Sequence, residues 1–99
     1  MGSKGKIEMI RCRVFYEGRV QGVGFRATTS ELAQQHAVAG WVRNLSDGRV
    51  ELVTDGEPSV IDEFLAAIDR RLGRWIRDIQ VSREPAPEIE QVGFSIRYD

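Results

Sequence analysis

The residues with the clearest chemical potential stand in one short string, Gln21-Gly22-Val23-Gly24-Phe25-Arg26. A phosphoryl group needs several hydrogen-bond donors converging on a small volume, and a glycine-rich turn running into a helix N-terminus supplies backbone N–H groups with a favourable dipole. Glycine at 22 and 24 keeps side chains out of such a concavity, while Arg26 adds a forked cation able to hold two phosphate oxygens. The same string also reads as a tight connection with an arginine at its edge, because glycine-rich strings are common. Asn44 bears on that choice. Its amide carries an acceptor and donors, so it can hold a water and a substrate oxygen together; equally, asparagine opens turns such as Ser46-Asp47-Gly48 without chemical duty.

Whether these residues meet depends on the elements around them. Residues 10 to 16 alternate, Cys12, Val14 and Tyr16 against Arg11, Arg13 and Phe15, as a half-buried strand does. The glycine-rich loop follows, and Phe25, Thr29, Leu32, Ala33 and His36 then recur at helical spacing, predicting a helix from 25 to 37. Segments 40 to 45 and 49 to 54, rich in Trp and Val, flank Ser46-Asp47-Gly48 and predict a hairpin. Pro58 opens a second helix whose apolar positions Ile61, Phe64, Leu65, Ile68 and Leu72 keep the 3.6 period until Gly73. Segments 75 to 82 and 92 to 98 alternate again around Glu84-Pro85-Ala86-Pro87, which breaks the ladder. The order βαββαβ plus a last strand predicts an α+β, ferredoxin-like sandwich, an antiparallel sheet of four to five strands with two helices on one face. A helix from Ala27 to Ala37 advances about 16 Å and the following strand returns about 16 Å, which brings Asn44 level with the loop. A right-handed crossover would set it beside the end of the first strand.

Composition limits the alternatives. Ninety-nine residues make one domain, expected over 9–99 after a flexible, polar tail at 1–8. Fourteen basic against fifteen acidic residues argue against broad capture of nucleic acid or anionic lipid, and no apolar run approaches a membrane span. The single cysteine, Cys12, makes no internal disulfide, and the opening residues lack a secretory core, so the cytoplasm is the expected compartment. Cys12 sits inside a strand and reads as buried and inert, and His36 as a packing or helix-end residue. Asp55, Asp62, Glu63 and Asp69 follow no metal-loop pattern, and Trp41, Val42 and Trp75 read as packing residues or an aromatic rim.

Residues 18 to 26, GRVQGVGFR, resemble the first signature of acylphosphatases, and residues 40 to 51, GWVRNLSDGRVE, resemble the second. The resemblance runs from about residue 10 to the closing GFSIRYD. It implies hydrolysis of acyl phosphates to a carboxylate and inorganic phosphate, with Arg26 binding the phosphate, Asn44 orienting the attacking water, and the backbone from Gln21 to Phe25 forming the cradle. It implies no metal and no organic cofactor. The expected partner is a small-molecule acyl phosphate, with no nucleic acid and no membrane, and the expected state is a monomer. Ala27 and Thr28 stand where bulkier residues are frequent in the family, and Ala37 where a glycine often ends the helix. Leu45 replaces the hydroxyl residue of some members, and Gly73-Arg74-Trp75 differs from a proline-containing turn.

Two readings of other classes compete with this one. An RNA-recognition module shares the βαββαβ order, but its glycine-aromatic run belongs on the third strand, not ahead of the first helix. A regulatory, carbamoyl-phosphate-handling domain like those at the front of hydrogenase maturation factors is the other, and the short chain favours a stand-alone enzyme.

Overall fold

The computed structural model describes residues 8–88 and 91–99. The tail expected at 1–8 therefore lies, apart from Glu8, outside the described residues. The chain runs β1 (Ile10–Gly18), α1 (Phe25–Gln34), β2 (Ala39–Asn44), β3 (Val50–Gly56), α2 (Pro58–Leu72), a 3-10 turn (Gly73–Trp75), β4 (Ile76–Pro85) and β5 (Phe94–Arg97). The strands form one sheet in the order β4-β1-β3-β2-β5.

Alternation in β1 puts Cys12, Val14 and Tyr16 on the side that the helices cover, opposite Thr54, Leu52 and Val50 of β3. Phe64, Ile61 and Ile68 of α2 are fully enclosed against this side, with Leu32 and Ala33 of α1 beside them. Each large side chain so enclosed contributes about 1.5–3 kcal/mol relative to exposure, and this core fixes the layer spacing that the loops must follow.

Four sequence expectations need adjustment. The first helix stops at Gln34 rather than 37: Gln35 and His36 donate to the carbonyls of Leu32 and Ala33, a tightened last turn, and the His36 ring nitrogen Nδ1 lies 2.8 Å from the Leu32 carbonyl oxygen. The fourth strand continues to Pro85, because β4 is an edge strand and a proline at its end costs the ladder nothing. The fifth begins only at Phe94 and runs parallel to β2, so the sheet is mixed rather than wholly antiparallel. The end of β4 lies beside Ile10 and the start of β5 beside Gly40, at the same end of the sheet, and a strand starting there must run the same way as β2. Finally, β3 lies between β1 and β2, so Asn44 reaches the same end of the sheet as the loop but one strand further across.

Candidate active site

The loop from Arg19 to Gly24 is pinned at both ends and open in the middle. Val20 is fully buried, the Arg19 N–H donates to the Trp75 carbonyl at 2.9 Å, and the Phe25 ring packs 4.9 Å from that of Tyr16 at the end of β1. Between these anchors Gly22 and Gly24 take φ of +82° and +78°, left-handed values that side chains disfavour. A Cβ at either would meet nothing within 4 Å, so the backbone angle, rather than lack of room, requires glycine. Gly24 is also the N-cap of α1, and no side chain caps that helix, so its first-turn N–H groups face the loop without a side-chain acceptor.

Gln21 is expected in the cradle through its backbone, and its side chain serves elsewhere: Nε2 donates to the Leu45 carbonyl at 2.8 Å and the Arg49 carbonyl at 3.0 Å, tying the loop to the β2–β3 turn. That turn is closed by its own backbone, Leu45 N–H to Arg49 and Gly48 N–H to Leu45, and by Asp47, whose Oδ1 accepts from the Arg49 N–H. Asn44 therefore has no part in opening it. The Asn44 Oδ1 is buried and has no hydrogen-bond partner among the described residues.

Val20, Gly22, Gly24, Phe25, Arg26 and Ala27 share with Asn44, Ile96 and Tyr98 a cavity of about 180 Å³. The structure thus brings together Arg26, Asn44 and both glycines as the sequence spacing predicts. No sequence feature points to Ile96 and Tyr98 here; Ile96 arrives on β5 and Tyr98 just past its end, through the long-range β2–β5 pairing, for which no local signal exists. The Arg26 guanidinium rests 4.8 Å from the centre of the Tyr98 ring, with Nη1 3.5 Å from the Arg97 carbonyl. Neither is a carboxylate, so its charge stays available to an anion.

A larger cavity, about 470 Å³, opens at the opposite end of the sheet against Met9, Ala39, Pro87 and Asp55. Burial pushes the Asp55 carboxyl up, but hydrogen bonds from Arg11 and Gln91 outweigh it and hold it below the usual carboxylate range. A carboxylate so engaged is a structural ion pair. Cys12 is buried within β1, burial raising its thiol pKa, and His36 packs on Phe64 with ring centres 5.7 Å apart. Among the described residues no group of three His, Cys, Asp or Glu side chains comes together, and no helix is long and apolar enough to cross a membrane.

Fold and cavity together define a ferredoxin-like α+β domain with an oxyanion-sized cradle between the first strand and first helix. The Acylphosphatase family profile matches residues 12–96. An acylphosphatase of Rubrobacter xylanophilus is 42% identical over 96 residues, covering 88% of this chain and 79% of that protein. The crystal structure of acylphosphatase from Bacillus subtilis superposes with a TM-score of 0.80 at 34% identity, covering 90% of this chain and 99% of that one. Full-length HypF, in its phosphate- and nucleotide-bound form, matches with a TM-score of 0.73 and 29% identity, over 97% of this chain but 13% of that one. The chain belongs to the acylphosphatase family, and the family's reaction is the hydrolysis of acyl phosphates.

Proposed function

We propose that this reaction runs by direct attack of a water held by Asn44 on a phosphoryl group held by Arg26 and the loop amides of residues 21–25. The observation that carries the reading is the Asn44 Oδ1, a buried acceptor without a protein partner, on the same small cavity as Arg26. A water donating one hydrogen to that oxygen satisfies it and is fixed in place. Proximity and alignment of this kind supply much of the barrier reduction in phosphoryl transfer, and Arg26 with the helix N-terminus stabilises charge on the equatorial oxygens.

The leaving group explains why no carboxylate pair is needed. A carboxylate whose conjugate acid has a pKa of about 4 departs without protonation. A neutral amide is a poor base, so the water's proton passes to a phosphate oxygen. Metal-independent turnover follows from the same donor set, since amides, Arg26 and Asn44 are not metal ligands of choice. We read the enzyme as a cytoplasmic monomer with its working domain over 9–99, supported by the buried, unpaired Cys12 and by a site assembled wholly within one chain.

The test is hydrolysis of benzoyl phosphate in ¹⁸O-water with chelator present, comparing the parent with Arg26→Ala and Asn44→Ala. Label appearing in phosphate, chelator-resistant turnover, and loss of rate in both variants are expected. Label in benzoate, or full activity in either variant, overturns the assigned roles.

A further inference from the structure

We propose that the open face of the sheet, away from the helices, is a second anion-binding surface and that its occupant is single-stranded nucleic acid. The near-even net charge of the chain hides how charge is divided between faces. Arg11, Arg13 and Arg43 project from β1 and β2 on the side opposite the core, joined by Arg49 from the turn and Arg97 from β5. Two of the acids among them lie underneath: Glu51 is 3% exposed and Asp55 6%, whereas the Arg13 and Arg43 side chains keep 41% and 30% of their surface; the third, Asp47, is exposed and pairs with Arg49 at 2.9 Å at the rim of the face. Asp62, Glu63 and Asp69 are on the exposed side of α2, behind the sheet. Around Arg13, Arg43 and Arg97 the layer that meets solvent is therefore guanidinium.

Those guanidinium groups keep donors to spend. Arg43 uses Nε on Glu51 and Arg13 uses Nη1, leaving most of the five N–H bonds of each free of a carboxylate. They are also held flat. Arg97 and Arg43 lie 4.3 and 5.1 Å from the centre of the Trp41 ring, and Arg49 lies 4.6 Å from that of Phe15. A guanidinium stacked on an aromatic ring offers its outer face to a base and its edge to a phosphate, the two features a single strand presents together. A duplex hides its base faces, and the exposed apolar side chains Ile79 and Val81 lie on the helix side of β4, so this face has nothing to insert into a lipid bilayer. Glu17 at the end of β1 and Asp78 and Glu84 of β4 border the patch, which confines the strand to the region from Arg13 across β3 to the arginines of β2 and β5. Asn44 and Ile96 point to the other side of the sheet, so this surface is separate from the hydrolytic cavity.

The experiment is fluorescence anisotropy of a labelled oligouridine of about a dozen nucleotides with the full chain, from about 50 to 200 mM salt. About four arginine–phosphate contacts predict a log–log salt slope near −3, at about −0.7 per contact on a single strand. Among the described residues Arg97 pairs with no carboxylate, so Arg97→Gln strands no buried acid. It should weaken binding at least fivefold and flatten the slope by about 0.7, with Tm lowered by no more than a few degrees through loss of the stack on Trp41. Arg97→Lys should keep the slope yet weaken binding severalfold through loss of the stacked plane. Absence of saturable binding below about 0.1 mM at low salt, equal affinity for a duplex of the same length, or capture by phosphatidylserine vesicles in place of the oligonucleotide overturns the proposal.

Discussion

Replacing Gln21 by alanine separates fold from catalysis. The substitution removes two hydrogen bonds, to the Leu45 and Arg49 carbonyls, and nothing else of size, because the side chain is exposed. Exposed carbonyls regain water, so each bond contributes toward the lower end of the usual range, about 0.5–0.7 kcal/mol, and the pair about 1–1.5 kcal/mol. For a domain of this size that lowers Tm by about 4–10 °C. The turn itself survives through its backbone bonds, Leu45 to Arg49 and Gly48 to Leu45. What is lost is the tether that sets this turn, and with it the neighbouring Asn44, relative to the loop. A misplacement of about 1 Å costs on the order of 100-fold in rate, so a partial loss of alignment should lower kcat about tenfold or more. The inhibition constant for inorganic phosphate should change less than about threefold, because Arg26 and the helix N-terminus are untouched. Gln21→Glu, which sets carboxylate oxygens against two carbonyl oxygens, should be worse than alanine in both stability and kcat. Steady-state kinetics on benzoyl phosphate, phosphate inhibition and a thermal melt give all three quantities. An unchanged kcat beside the expected drop in Tm, or a phosphate inhibition constant rising in step with the fall in kcat, refutes the positioning argument.

Three further outcomes follow from named contacts. Arg26→Lys keeps the charge but loses the fork, and with it one charge-assisted hydrogen bond of about 1.5–3 kcal/mol; kcat/KM on benzoyl phosphate should fall about 10- to 100-fold. Gly24→Ala has room for its methyl group but must hold φ near +78°, so chemical denaturation should show a loss of about 1–2 kcal/mol. Asp55, held below its ordinary pKa by Arg11 and Gln91 despite its burial, contributes stability that is present above the unfolded carboxylate pKa and is lost as pH falls through the lower folded value. Urea melts of the parent and Asp55→Asn should therefore differ at pH 7 and converge as pH drops below about 4; a constant difference across that window would show that the ion pair is not its source.

The parts of the molecule legible in the sequence are those written by local periodicity. The Cys12-Val14-Tyr16 alternation, the 3.6 spacing of Ile61 to Leu72 and the turn chemistry of Ser46-Asp47-Gly48 each have a short-range cause, and the structure follows them. Arg26 and Asn44 could be placed on one cavity because a helix and a returning strand of similar span lead back to the same end of the sheet. Whatever depends on strand order was illegible. No spacing announces that β3 inserts between β1 and β2, or that β5 crosses to the far edge and delivers Ile96 and Tyr98 to the cavity. The arginines of the open face are as visible in the sequence as the acids, but only the register shows Glu51 and Asp55 beneath them. Net charge sums over both faces and cannot report their difference.

The division of labour between Gln21 and Asn44 shows why a loop residue and a strand-end residue belong to one device. An asparagine that opened the turn would spend its oxygen on a backbone N–H. Here Asp47 and the turn's own carbonyls take the N–H groups of Arg49 and Gly48, so the Asn44 oxygen is released from that duty while remaining buried. A buried acceptor left without a partner costs about 1–3 kcal/mol, a loss the fold could avoid with a leucine at the same position. The surrounding structure holds it in place instead: β3 fixes the strand, and Gln21 fixes the turn to the loop whose far end carries Arg26. The unsatisfied oxygen and the uncapped helix N-terminus thus belong to one cavity. In the proposed reaction a water satisfies the one and an anion the other, and holding both at once supplies the alignment that attack of a water on a phosphoryl group requires.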